Sequence, residues 1–361
     1  MTDADGGLRH LAFFEELGKM DESDAAWRSV SAGLVVMRLV DNWIEGGGAP
    51  SRVDSWGVSS VREAIAEIEG KTPLTRMLTG IVDALVSSPV LDLHVLIPRL
   101  MAYGQTLQYD AKWALAADVY RTIVGHAHQS DDTDLIVTAL LQLGFCHRTL
   151  DEFDDATAAY AAASRLALAS GDMVGVLRGR LGDARIAVAR GNLPYADAVV
   201  EDTIAEAQAS GFHEIHALAL GDRAGIAGFR GQYDRAIRYS YEALKLTLTP
   251  RDKDRALVNI ATGFRLLGLL DIARDAYLVL AATAQEQYVR WMSELHLMEL
   301  SAAAGMELQF DRYRRELESA DFSPLLRVMY LLHVGRGYHS LGNSTAGIAY
   351  LADAVKQASA N

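Results

Sequence analysis

The chain has 361 residues, half of them hydrophobic but only 8% aromatic, with 7 prolines; that length suits two or three globular domains or one elongated repeat array. Alanine and leucine dominate and alternating Val, Ile and Thr runs are absent, which excludes a strand-rich fold and favours close-packed helices. A net charge of −13 excludes a general phosphate-backbone binder, and no stretch approaches the ~18 continuous apolar residues of a membrane span.

Residues 1–97 carry the denser negative charge. The start "MTDADGGLRHLAFFEELGK" has no apolar signal core, and Cys146 is the one cysteine, set in the helical surroundings of a small buried thiol. Together they predict a cytoplasmic protein without a disulfide framework. "DESDAAWRSVSAGLVVMRLVDNWIEGG" predicts one long helix, capped by Asp21 or Ser23, stopped by Gly46 to Gly48 and largely covered through Trp27, Val30, Leu34, Val36, Met37, Val40 and Trp43. Helices near 58–68 and 73–87 follow. The region predicts an irregular helical cap on a repeat stack, the alternative being an output or autoinhibitory module.

From about residue 98 the chain repeats. Turn glycines fall at 191, 231, 268, 305 and 342, spaced 40, 37, 37 and 37 residues apart. A small residue recurs in the following helix at 116, 156, 196, 236, 273 and 347, with Phe310 breaking the series. Twelve residues earlier lies a second small residue, at 104, 144, 184, 224, 261 and 335, with Met298 as the matching exception. Two helices approach closely where both lack bulk, so each unit is a helical hairpin, with Ala236 facing Ala224 across the turn at Gly231. Two units lack the turn glycine. Gly171, Gly211 and Pro250 mark the joints between units.

In "LLQLGFCHRTLDEFDDATAAYAAA", Leu143, Gly144, Ala156, Tyr160 and Ala163, and in "HVGRGYHSLGNSTAGIAYLADA", Gly335, Tyr338, Gly347 and Ala354, the chain resembles the tetratricopeptide repeat (TPR) family. The units run longer than its usual ~34 residues and lack its terminal proline. The resemblance implies an all-α, right-handed α-solenoid of about seven hairpins over residues 98–361. It also implies a concave face, lined by the first helix of each hairpin, that binds a protein or peptide.

Transferring that face residue by residue exposes Gln105, Tyr109, Arg148, Arg178, Arg185, Arg255, Thr262 and Arg265, with Phe229 at the end of a first helix. Tyr109, Arg148, Arg178, Arg185, Phe229 and Arg265 are the candidate ligand-binding residues, and the arginines predict an acidic peptide segment as partner. Gly221, Gly225 and Gly228 weaken one first helix, each by about 1 kcal/mol relative to alanine, which predicts close approach of a backbone or ligand, or a bend.

The residues carry no converging acid, base and nucleophile set, so a non-catalytic scaffold or peptide-responsive regulator is expected, without cofactor, metal, nucleic acid or membrane. "EGKT" at 69–72 lacks the phosphate-loop glycine, since Ile65 stands there. "GNSTAG" at 342–347 places Ser344 in a repeat turn as a helix cap. The cluster His126, His128, Asp131, Asp132 and Asp134 reads as a capping loop, and His213, Glu214 and His216 miss the helix-face spacing of a zinc pair.

Overall fold

The structure, a computed structural model, describes residues 9–45, 55–70, 72–86, 92–126, 132–246, 249–320, 322 and 324–359. Among them are eighteen α-helices and no strand. None of the helices is long and apolar enough to cross a membrane. By contacts the chain forms two units, Met1–Ile186 and Ala187–Asn361.

In the first unit α1 (Leu11–Leu17), α2 (Ala25–Glu45), α3 (Ser55–Ala66) and α4 (Pro73–Val86) precede the repeats. The long helix expected from the apolar pattern is α2, with Val30, Leu34, Val36, Met37, Val40 and Trp43 buried. Its entry differs from expectation. Asp21 accepts from the Ser23 N–H at 2.9 Å in the preceding turn, and the Asp24 carbonyl receives the first helical bond, from Arg28. The predicted stop at Gly46 to Gly48 lies outside the described residues.

The pairs then begin: α5 (Leu93–Tyr109) with α6 (Trp113–Gly125), and α7 (Thr133–Thr149) with α8 (Phe153–Ser170). Helix α9 (Met173–Ala189) starts the next pair and crosses the division between units. One hydrophobic core runs through this unit from Phe13 to Ile186, joining α2 and α4 to α5–α8. Gly144 shows why the first-helix position stays small: a Cβ there would lie 2.8 Å from the Tyr160 ring. Gly104 stands in the same relation to Tyr120, at 2.7 Å.

In the second unit come α10 (Leu193–Ala209), α11 (His213–Phe229), α12 (Tyr233–Leu246), α13 (Pro250–Leu266), α14 (Leu270–Thr283), α15 (Gln287–Ala303), α16 (Glu307–Glu318), α17 (Pro324–Ser340) and α18 (Ser344–Ala358). Ala224 and Ala236 are both buried between the packed helices α11 and α12. The architecture is an all-α solenoid of TPR-like hairpins, seven pairs from α5 to α18. Side chains cap several first turns: Asp132 accepts from the Leu135 N–H, Asn192 from that of Tyr195, and Thr249 from that of Asp252. Pro250 therefore opens α13 rather than closing α12. Likewise Asn343, not Ser344, caps α18, through the Ala346 N–H at 3.2 Å.

The turn position explains the two units without glycine. Gly191, Gly231, Gly268, Gly305 and Gly342 have φ between 70° and 83°, and in the earlier units Ala111 and Asp151 adopt φ of 59° and 63° at the same register. The turn thus imposes a left-handed conformation that costs an L-residue roughly 1–2 kcal/mol, partly offset by glycine's greater freedom when unfolded. Ala111→Gly is accordingly expected to stabilise the chain by up to about 1 kcal/mol, read as a rise in Tm. A lowered Tm would contradict the turn assignment.

Candidate functional site

In the first unit two of the predicted arginines converge. Arg148, near the end of α7, lies over the Phe145 ring at 5.2 Å, and the buried Tyr160 feels the charges of Arg148 and of Arg185 on α9. Burial pushes the Tyr160 phenol up from its ordinary pKa, and Arg148 and Arg185 oppose that shift. Gly144 and Gly182 make room for the ring, since a Cβ at Gly182 would come within 2.5 Å of it. Arg178 is half-buried on α9, two helical turns before Arg185. Tyr109 closes α5, and its hydroxyl accepts from Gln105 Nε2 at 3.0 Å. Beside it the buried Gln108 donates to Gln142 Oε1 at 3.1 Å and to Cys146 Sγ at 3.2 Å, which extends the polar row between α5 and α7.

The second unit repeats the tyrosine device. Tyr277 of α14 feels the charge of Arg265 on α13, twelve residues earlier, as Tyr160 does that of Arg148. Tyr277 Oη also lies 3.1 Å from Thr262 Oγ1, and burial raises its pKa. Arg265 NH1 reaches Glu299 Oε2 of α15 at 3.3 Å. Two histidines of successive first helices flank this carboxylate: His296 Nδ1 at 3.7 Å and His333 Nδ1 at 3.5 Å. His296 beside it, then His333 and Arg265, hold Glu299 down at about 2 against the effect of burial. Burial pushes both imidazoles down, His333 to about 4. Neither was singled out from the sequence, although their spacing of 37 residues is the repeat period and Asn259 holds the same register in the preceding first helix. Asn259 donates to the Gly221 carbonyl at 3.3 Å.

Phe229, at the end of α11, is 71% exposed. A Cβ at Gly221, Gly225 or Gly228 would meet nothing within 4 Å, so no neighbouring atom crowds the side-chain position of these glycines. The expected close backbone approach is not found there, and that face of α11 is open. Arg255 pairs loosely with Asp222, at 3.6 Å.

The clusters weighed as metal sites have other partners. His126 Nε2 lies 3.3 Å from Asp41 Oδ1, and Asp132 caps α7, while His128 and Asp131 lie outside the described residues. His213 and Glu214 are exposed in the first turn of α11, with His216 half-buried. Ser344 lies 3.3 Å from His339 Nδ1, but in a helix-to-helix turn with no strand before it.

No family model matches the chain, and no curated protein matches it. Among solved structures, it is similar to the Rap conjugation gene regulator of the plasmid pLS20 in complex with the Phr* peptide. The two are 12% identical with a TM-score of 0.60, over 91% of this chain and 95% of that one. A Rap protein complexed with competence and sporulation factor gives 12% identity and a TM-score of 0.55, covering 91% and 98%. NprR in complex with its cognate peptide NprX gives 15% and 0.53, covering 95% and 90%. At these identities the likeness is one of fold: a TPR-like helical repeat built on the same plan.

Proposed function

We propose that the protein is a non-catalytic, peptide-responsive regulator, binding a short acidic peptide along the first helices of its repeats. The observation that carries this reading is the pair Arg148 and Arg185, whose charges both reach the buried Tyr160. An arginine ordered by its neighbours, as Arg148 is over the Phe145 ring, loses less side-chain entropy on binding than a free one and presents paired donors to a carboxylate. Tyr109 and Arg178 are proposed as further contacts in the same unit, and Phe229 and Arg265 as separate candidate contacts within the second unit, the phenyl ring supplying apolar area and the guanidinium groups charge. Two of the similar structures, a conjugation gene regulator and NprR, are named as complexes with a peptide, which supports the class of ligand.

We read residues 1–97 as a cap rather than a detachable output module. In support, the core from Phe13 to Ile186 is continuous across residue 97, and the division between compact units falls at 186 instead. Absence of a membrane-spanning helix among the described residues is compatible with the expected cytoplasmic setting.

The test is selection of a displayed heptapeptide library on the full-length chain, followed by calorimetry of the enriched peptides. Enrichment of Asp and Glu is expected. Binding should weaken at least ~10-fold in the Arg148→Glu, Arg185→Glu double variant and fall with added salt. Unaltered affinity in that folded variant would remove these arginines from the site.

A further inference from the structure

The buried polar cluster of the second unit has chemistry that peptide recognition does not use. His296 and Glu299 stand one turn apart on α15, and His333 faces them from α17. Their donor atoms, one imidazole nitrogen from each histidine and one carboxylate oxygen, all lie within 4.8 Å of one another. Both Nδ1 atoms are buried and lack a hydrogen-bond partner. Two unpartnered imidazole nitrogens aimed at one carboxylate leave lone pairs unsatisfied, which folding tolerates poorly without a return.

We propose that His296, Glu299 and His333 form a binding site for a divalent first-row transition ion, of which zinc is the test case. Two imidazoles and a carboxylate are a donor set for such ions rather than for calcium or magnesium, which take oxygen. Three protein donors leave a fourth position open to water or a ligand atom. The two separations from the carboxylate fit with little movement. Nδ1 to Oε2 separations of 3.7 and 3.5 Å are too long for hydrogen bonds. They exceed by only a few tenths of an ångström the ~3.3 Å between donors around tetrahedral zinc, given zinc bonds of about 2.0–2.1 Å. Burial favours the neutral imidazole, the form that ligates.

Tyr277 packs its ring on His296, with centroids 4.8 Å apart, and fixes that imidazole's plane. Arg265 is the opposing element. It donates to Glu299 Oε2, and when an ion takes that oxygen the guanidinium passes to Oε1, so the carboxylate bridges both. Its charge lowers the affinity for a cation. Removing that charge should therefore strengthen the site, a consequence that a merely structural cluster does not share.

The experiment uses full-length protein stripped with a chelator and titrated with zinc, without peptide, by calorimetry and by thermal melting. One equivalent per chain and a zinc-dependent rise in Tm are expected. Affinity should fall at least ~10-fold in His333→Gln and in Glu299→Gln. His147→Gln, in the other histidine and acid cluster (His147, Glu152 and Asp155), should leave it unchanged. Arg265→Gln should tighten binding. Circular dichroism confirms the fold of each variant, and Glu299→Gln preserves the side-chain size should His333→Gln fail to fold. No zinc-dependent change in the wild type, affinity within about two-fold in both ligand variants, or weaker binding in Arg265→Gln would each overturn the site. Because no peptide is present, these outcomes are independent of the peptide-binding reading.

Discussion

Phe310→Ala is expected to destabilise the second unit by about 3–5 kcal/mol, the usual cost of emptying a large buried aromatic site. Phe310 occupies the one second-helix position where the repeat's small residue is missing, and it is fully buried. Its partner position in the same pair, Met298, is also large and also buried. The bulk is accommodated by the next pair: a Cβ on Gly337 of α17 would lie 2.2 Å from the Phe310 ring. Tyr338 then meets the ring edge-on at 5.1 Å. The irregular unit is thus a transfer of volume from one helix to another rather than a fault in the repeat. A reversal of sign follows. Gly337→Ala should destabilise the wild type, where it clashes, and partly rescue Phe310→Ala, where it fills space. Urea unfolding of the four proteins gives the cycle, and a Phe310→Ala cost under about 1 kcal/mol would show that the ring is not part of the core.

Asp41→Ala should cost the first unit a similar amount, about 3–5 kcal/mol, because it removes the buried carboxylate shared by Arg9, His10 and His126. Asp41 Oδ2 accepts from Arg9 and lies 3.2 Å from His10 Nε2, and its Oδ1 faces His126. His10 Nδ1 lies 3.6 Å from Asp118, which Arg121 also approaches. These contacts dock the start of α1 on α2 and α6. Burial pulls the His10 pKa down, but the Asp118 and Asp41 carboxylates beside it overcome that and raise the pKa to about 9. Burial pushes Asp41 up, and His10 and His126 overcome that to hold it well below the usual carboxylate range.

The stabilisation from His10 is complete below its ordinary pKa of ~6.5 and is lost as pH rises through about 9. That from Asp41 is present above ~4 and is lost as acid protonates it. The first unit should therefore weaken between pH 7 and 10, by at most ~3 kcal/mol from this histidine. Melting curves of wild type and Asp41→Asn across that range check it. The slope should flatten in the variant, and an equal slope in both would place the pH dependence elsewhere.

The repeat was legible because its cause is local and periodic. Glycine at a left-handed turn and small residues at a helix crossing leave the same mark in every unit. Ala111 and Asp151 hid two turns because their strained conformation is imposed by the flanking helices, and no residue type announces it. The arginine positions were legible from the period, but the buried tyrosines that feel their charge were not. The signal was present: Tyr160 follows Arg148, and Tyr277 follows Arg265, by twelve residues. The same holds for His296 and His333, one repeat apart. Contacts of Asp41 with His10 and His126, 31 and 85 residues away, carry no such period and require the tertiary structure. The open face at Gly221, Gly225 and Gly228 was marked by composition, but its openness depends on what neighbouring helices leave uncovered.

The most direct test of peptide binding on the first helices is to replace one residue of an enriched peptide with a photoreactive phenylalanine, crosslink it to the full-length chain and map the adducts by mass spectrometry. Adducts on α5, α7, α9, α11 or α13, diminished by excess unlabelled peptide, are the expected result. Adducts confined to the second helices α6, α8, α12 and α14, or to residues 9–86, would contradict the account.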